Sequence, residues 1–423
     1  MSRARFRALA LLVPACLAAF WLLSGSTLPP GGPSARVRAF TRSIEFDFAN
    51  WTLSALAQKA GQLALSAARY LPPEEQGRIV LDYVALIRNI QDLEGQVSSV
   101  YADPQVADAD AASASAREEL DGLDARRTEL EPLAESVMQT QLQAILAETG
   151  FTLGGQSLPP ILYKTSPPPL ALIVSPRDVI RRDHHISIES DLTTDAREGL
   201  ESQIDESLGV SSLTVPVGGI GLYPTMIMQT ADVNFLAEVV AHEWIHNYLT
   251  LRPLGALYMG SPQMMTINET VASIAGKELG RRLVERFYPE FLPPPPAPPV
   301  DEPDGPPTQD PPPFDFRREM GETRRTVDAL LEDGNVEEAE AYMESRRQVF
   351  WDNGYRLRKL NQAYFAFYGS YADEPGGAAG VDPVGEAVRT FRSRSPSLAE
   401  FVKRISWITS FEALQELLER PGH

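Results

Sequence analysis

The stretch His242-Glu243-Trp244-Ile245-His246 narrows what this chain can fold into more than any other. On a helix, two histidines four apart stand one turn above each other on the same face. Two neutral imidazoles so placed can hold one Zn²⁺, and the glutamate between them can reach a water polarised by the ion. Asn268-Glu269-Thr270-Val271-Ala272 follows, and Glu269 offers a carboxylate as third ligand.

Local signals put both blocks on helices. Asp232 can cap an apolar-periodic run that lasts to about Leu251, where Arg252-Pro253-Leu254-Gly255 reads as a stop. Phe235, Val239, His242, His246 and Leu249 fall on one stripe, which predicts that the histidines face the interior. A second helix opens with Ser261 as N-cap and Pro262 as first residue, and continues through Met265, Val271, Ile274, Leu279 and Leu283. Glu269 shares a face with Met265, Ala272, Ser273 and Gly276, three of them small enough to admit a neighbouring helix. A carboxylate at such a contact needs a partner, because burying an unpaired charge is costly. The competing reading, a capping box Thr266-x-x-Glu269, requires the helix to start at Thr266 and ignores the better start at Ser261-Pro262.

This combination, HExxH followed by NExxA, resembles the gluzincin metallopeptidases over roughly residues 210–285. The resemblance implies a zincin-like catalytic domain. In it His242, His246 and Glu269 hold one Zn²⁺, and Glu243 is the general base for hydrolysis of a peptide or protein substrate. It also implies that the segment before the first helix is a sheet edge on which the substrate backbone lies. Gly218, Gly219 and Gly221 would permit that close approach. Another zinc pattern, HExxHxxGxxH, fails here, since its glycine and third histidine fall on Leu249 and Arg252. Two departures from gluzincins matter. Ser273 stands where thermolysin-like enzymes have an aspartate that orients a ligand histidine, so Asn268, Ser273 and Glu238 are the candidates for that task. The Gly-x-Met-Glu-Asn segment of gluzincin aminopeptidases, whose glutamate binds the substrate amine, is also missing, which favours cleavage at internal bonds. Residues 360–371 in turn resemble the closing segment of a bacterial aminopeptidase family that carries HExxH. Tyr364, Tyr368 and Tyr371 in it are candidate donors to a developing oxyanion, with ordinary core aromatics as the alternative.

Around this centre the expected organisation is α+β. Residues 1–26 read as a signal or membrane anchor, with Arg3, Arg5 and Arg7 before an apolar run over residues 8–23. That predicts a cell-membrane location with the rest outside the cytoplasm, or secretion if the segment is cleaved after Ser24-Gly25-Ser26. Residues 40–150 read as a helical hairpin region. Trp51, Leu53, Leu56 and Leu63 are its first packing positions, and Ile79, Tyr83, Leu86, Ile90 and Leu93 recur at heptad spacing. The hairpin is a plain helical subdomain or a docking device for an unknown partner. Residues 160–290 form the catalytic domain, 291–315 a Pro-rich linker, and 316–423 a helical C-terminal region. His184 and His185 enter a strand and point to opposite faces, as packing residues or as part of a second metal site. Cys16 is the only cysteine, which excludes disulfides. The net charge of −19 speaks against nucleic acid as a partner. Two rival functions remain at this point: an inactive zincin-fold scaffold or adhesin, and a helical interaction protein in which HExxH is accidental.

Overall fold

A computed structural model describes residues 32–65, 67–102, 108–294, 314–355, 357–369 and 383–419. Helices dominate and the sheets are small, so the chain is α+β. It opens with α1 (Pro33–Thr41) and α2 (Phe48–Leu65), followed by two long helices, α3 (Pro73–Ala102) and α4 (Ala109–Glu148). The heptad spacing in α3 becomes a seam, where Tyr83, Leu86, Ile87 and Ile90 pack with Ala134 and with Leu120, Leu123 and Leu130 of α4. The next stripe of the same helices, Val80, Val84, Val137, Met138 and Leu142, continues into the main core.

Helix α2 faces differently from its apolar pattern. Leu53 and Leu56 are exposed, while Ala55 and Lys59 are buried. An ion pair decides this orientation. The Lys59 ammonium meets Glu135, whose carboxylate also accepts the Thr165 N–H at 2.6 Å. Turning Leu53 inward would leave that buried carboxylate unpaired, which costs more than one exposed leucine.

A two-residue antiparallel hairpin, Thr152–Leu153 with Gln156–Ser157, precedes six further strands: β1 (Tyr163–Thr165), β2 (Leu170–Pro176), β3 (His184–Ile188), β4 (Val210–Pro216), β5 (Gly219–Ile220) and β6 (Thr225–Ile227). Helix α5 (Thr194–Leu208) lies between β3 and β4, capped by Thr193. One antiparallel sheet has the order β3-β2-β4; the other, β1-β6-β5, pairs β1 with β6 in parallel. Strand β2 is central, and it is apolar from Leu170 to Val174 because both of its faces are covered. Leu170, Leu172 and Val174 pack with Val37 and Ile204, whereas Ala171 and Ile173 face the C-terminal helices.

The main core lies between α6 (Val233–Thr250) and α7 (Pro262–Phe287). Helices α8 (Phe316–Glu332), α9 (Val336–Asp352) and α10 (Gln362–Tyr368) cover the β2/β4 face, placing Met320, Met343, Phe350 and Phe365 there. Helices α11 (Pro383–Arg394), α12 (Leu398–Ile405) and α13 (Phe411–Glu419) close the main core with Phe391, Phe401 and Leu414. C-terminal helices thus complete both cores.

The stripe read on α6 needs correction. Leu249 is in the core, but Phe235, Val239, His242 and His246 line a cleft instead. The core face of the helix is Leu236, Ala237, Val240, Ala241, Trp244, Ile245 and Tyr248. Apolar residues occupy nearly the whole circumference, so periodicity alone does not tell which side is the interior.

The membrane anchor expected on residues 1–26 is also corrected, with the cell-membrane location and membrane partner drawn from it. Among the described residues no helix is long and apolar enough to cross a membrane, and residues 1–26 lie outside them.

Candidate metal centre

Capping chemistry sets the start of both helices that carry the centre. The Asp232 carboxylate accepts from the N–H groups of Asn234 and Phe235, and Ser261 Oγ accepts from Met264 N–H ahead of α7. The two helices approach closely because α7 presents glycine at the contact. A Cβ on Gly276 would lie 2.8 Å from His242 Cβ, and one on Gly280 would lie 2.7 Å from Glu238 Cα. The approach brings Glu269 of α7 over both histidines of α6.

The Nε2 atoms of His242 and His246 are 3.0 Å apart, and Glu269 Oε2 lies 3.7 Å and 3.4 Å from them respectively. Two ligands each about 2.1 Å from one tetrahedral ion stand roughly 3.4 Å apart, so these spacings fit a single cation. A second observation agrees. Glu269 Oε1 accepts from the Tyr258 hydroxyl, while Oε2 is buried with no hydrogen-bond partner and faces the Nε2 atoms of both histidines. The buried triad His242, His246 and Glu269 could hold a metal ion.

Electrostatics tighten the cluster. Burial alone would lower the His246 pKa, but the Glu269 carboxylate outweighs it and raises it to about 9. Burial likewise opposes ionisation of Glu269, yet the two imidazoles hold its carboxyl well below the usual range. Burial pushes Glu243 up, against the pull of the same histidines. Glu243 is roofed by backbone. A Cβ on Gly219 would lie 2.8 Å from Glu243 Oε1, and one on Gly221 would lie 3.1 Å from His246 Cβ. The edge strand β5 can run over the centre only because glycine leaves that room.

Of the candidate orienting residues, Asn268 holds a ligand. Its Oδ1 lies 2.8 Å from His246 Nδ1, and its Nδ2 donates to the Leu254 carbonyl at 3.3 Å. With the Asn268 oxygen as acceptor, Nδ1 carries the proton and Nε2 keeps its lone pair for a metal. Ser273 and Glu238 line the cleft. The three tyrosines separate. Tyr364 is buried under the β2/β4 sheet, Tyr368 lines the cleft, and Tyr371 lies outside the described residues. His184 turns away toward Ser34, while His185 opens on the cleft, so the pair builds no second metal site.

The cleft has a volume of about 640 Å³. Val217, Phe235, Val239, Phe367 and Tyr368 give it apolar lining, and Arg182, His185 and Tyr258 give it polar lining. Sequence reading missed Arg182 and Tyr258, and named His185 only as a packing residue or part of a second metal site. Tyr258 sits in a loop, where no periodicity points to a direction. Arg182 and His185 are placed by the register of β3 against β2, which pairs His185 with Ile173. Comparison of the chain with family models, with curated proteins and with solved structures gives no match.

Proposed function

We propose that the protein is a zinc-dependent metallopeptidase with a zincin-like catalytic domain. The observation that carries this reading is the orphan Oε2 of Glu269 facing two imidazole Nε2 atoms, with Glu243 beside them in an open cleft. Two nitrogens and one carboxylate oxygen with space left over are a donor set that suits Zn²⁺ in a catalytic role. When bound, the ion supplies Lewis acidity toward a water and a substrate carbonyl. Glu243 takes the proton of the attacking water and passes it to the leaving amine. Its raised affinity for a proton, from burial, suits both steps. Asn268 keeps His246 in one tautomer. The apolar lining of the cleft excludes water and accepts a side chain of the substrate. Retention of Glu243 in this position speaks against the scaffold or adhesin reading.

Two variants test the proposal. Purified protein should contain about one Zn²⁺ per chain by elemental analysis, and His246→Ala should lose it. Glu243→Gln should keep the metal and lose hydrolysis of a mixed peptide library. Stoichiometric metal in His246→Ala, or undiminished cleavage by Glu243→Gln, would refute the assignment.

A further inference from the structure

Arg182 lines the cleft with its charge unmatched. Its Nη2 donates to the Tyr258 hydroxyl at 3.3 Å and lies beside Met265 Sδ, and its Nε is buried with no partner. It meets no carboxylate among the described residues. Neighbouring arginines are treated differently: Arg181 pairs with Asp183 at 2.6 Å, and Arg324 with Asp328 at 2.7 Å. A chain with 57 acidic residues and a net charge of −19 has no shortage of partners. Leaving one guanidinium unpaired at a cleft wall is therefore a local departure from the pattern.

The position is specific as well. Arg182 bonds Tyr258, and Tyr258 bonds Glu269, so the guanidinium is one phenol away from the ligand triad. The same cleft is lined by the apolar side chains of Val217, Phe235, Val239 and Phe367. A planar guanidinium without a carboxylate partner matches a carboxylate of a ligand in the cleft. The long-range field of the protein repels anions, so such a group would be held by local contact.

We propose that Arg182 recognises a carboxylate of the substrate next to the bond that is cut, while the apolar lining of the same cleft takes an apolar side chain. The carboxylate is either the C-terminus of a peptide or the side chain of Asp or Glu. This inference rests on the metallopeptidase reading for the meaning of the cleft, but its test does not require turnover.

The test uses the full chain with Glu243→Gln, loaded with Zn²⁺, and binding measured by calorimetry. Three peptides share one apolar sequence: one with a free C-terminal acid, one with a C-terminal amide, and one amide with Glu beside the apolar residue. A carboxylate-bearing peptide should bind roughly 10-fold or more tighter than the neutral amide, as expected for charge-assisted hydrogen bonds. Preference for the free acid alone assigns the C-terminus; preference for the Glu peptide assigns the side chain. Adding Arg182→Gln should erase the difference, and Arg182→Lys should restore part of it. Equal affinity for all three peptides, or no binding of any, overturns the proposal. So does an Arg182→Gln protein that weakens all three alike, because Arg182 would then only support Tyr258. Discrimination that persists in protein whose wild type cleaves nothing would uphold Arg182 and sink the peptidase reading alone.

Discussion

At the scale of single residues, the geometry of the candidate ligand triad depends on groups outside it. Asn268 is the clearest, since its Oδ1 decides which nitrogen of His246 is free. Asn268→Ala should weaken metal binding about 10- to 100-fold with the fold intact, measured by chelator competition and circular dichroism. Unchanged affinity would show that His246 is oriented by packing alone. The ligands themselves were legible in the sequence, because helical spacing and capping at Asp232 and Ser261 are local chemistry. Arg182 and Tyr258 were not. A strand register and the path of a loop place them, and neither leaves a trace in short-range pattern. Lys59 shows the same limit from the other side. It is buried because Glu135 is there, and no reading of α2 alone contains that fact.

Among the elements, α6 and α7 matter most, and the glycines between them set their distance. A methyl on Gly280 would meet the backbone of Glu238 at 2.7 Å, where no side chain can swing aside. Alanine gains about 1 kcal/mol of helix propensity. Forcing two packed helices apart costs about 1–3 kcal/mol, so the clash should win. We expect Gly280→Ala to lower stability in urea unfolding and to loosen metal binding with it. Gly95→Ala, on α3 with nothing near its would-be methyl, should instead stabilise by about 0.4–1 kcal/mol. If both variants behave alike, close packing does not set the helix separation. The small residues around Glu269 signal this contact in the sequence. Which side of α6 faces the cleft is not signalled, since Trp244 and Phe235 are equally apolar but only Trp244 is buried.

The whole molecule is tied together by a few long-range contacts, one of them at the buried Glu201. Its carboxylate accepts from Thr214 N–H at 2.6 Å and from Arg358 Nη2 at 2.6 Å, joining α5, β4 and the segment before α10. Burial raises its pKa, but Arg358 and Thr214 outweigh that and hold it below the ordinary value. A depressed folded pKa contributes stability above the unfolded value of about 4.3, and that contribution is lost as pH falls through the folded value. Glu201→Gln should therefore lose stability at pH 7 and show a flatter acid limb below about pH 4.3. Arg358→Ala, which strands the carboxylate, should cost about 3–5 kcal/mol. Parallel acid limbs in wild type and Glu201→Gln would remove this contact from the account. The close docking of α6 and α7 has one more consequence, in the order in which the molecule is assembled. All three ligands come from two successive helices joined by a short loop, so closing their cage fixes little chain. The walls of the cleft come from β3, β4 and α10, which meet only when remote parts of the chain have found each other. The triad is thus the cheaper structure to form, and a pair of helices without the cleft above it would already present the three candidate ligands.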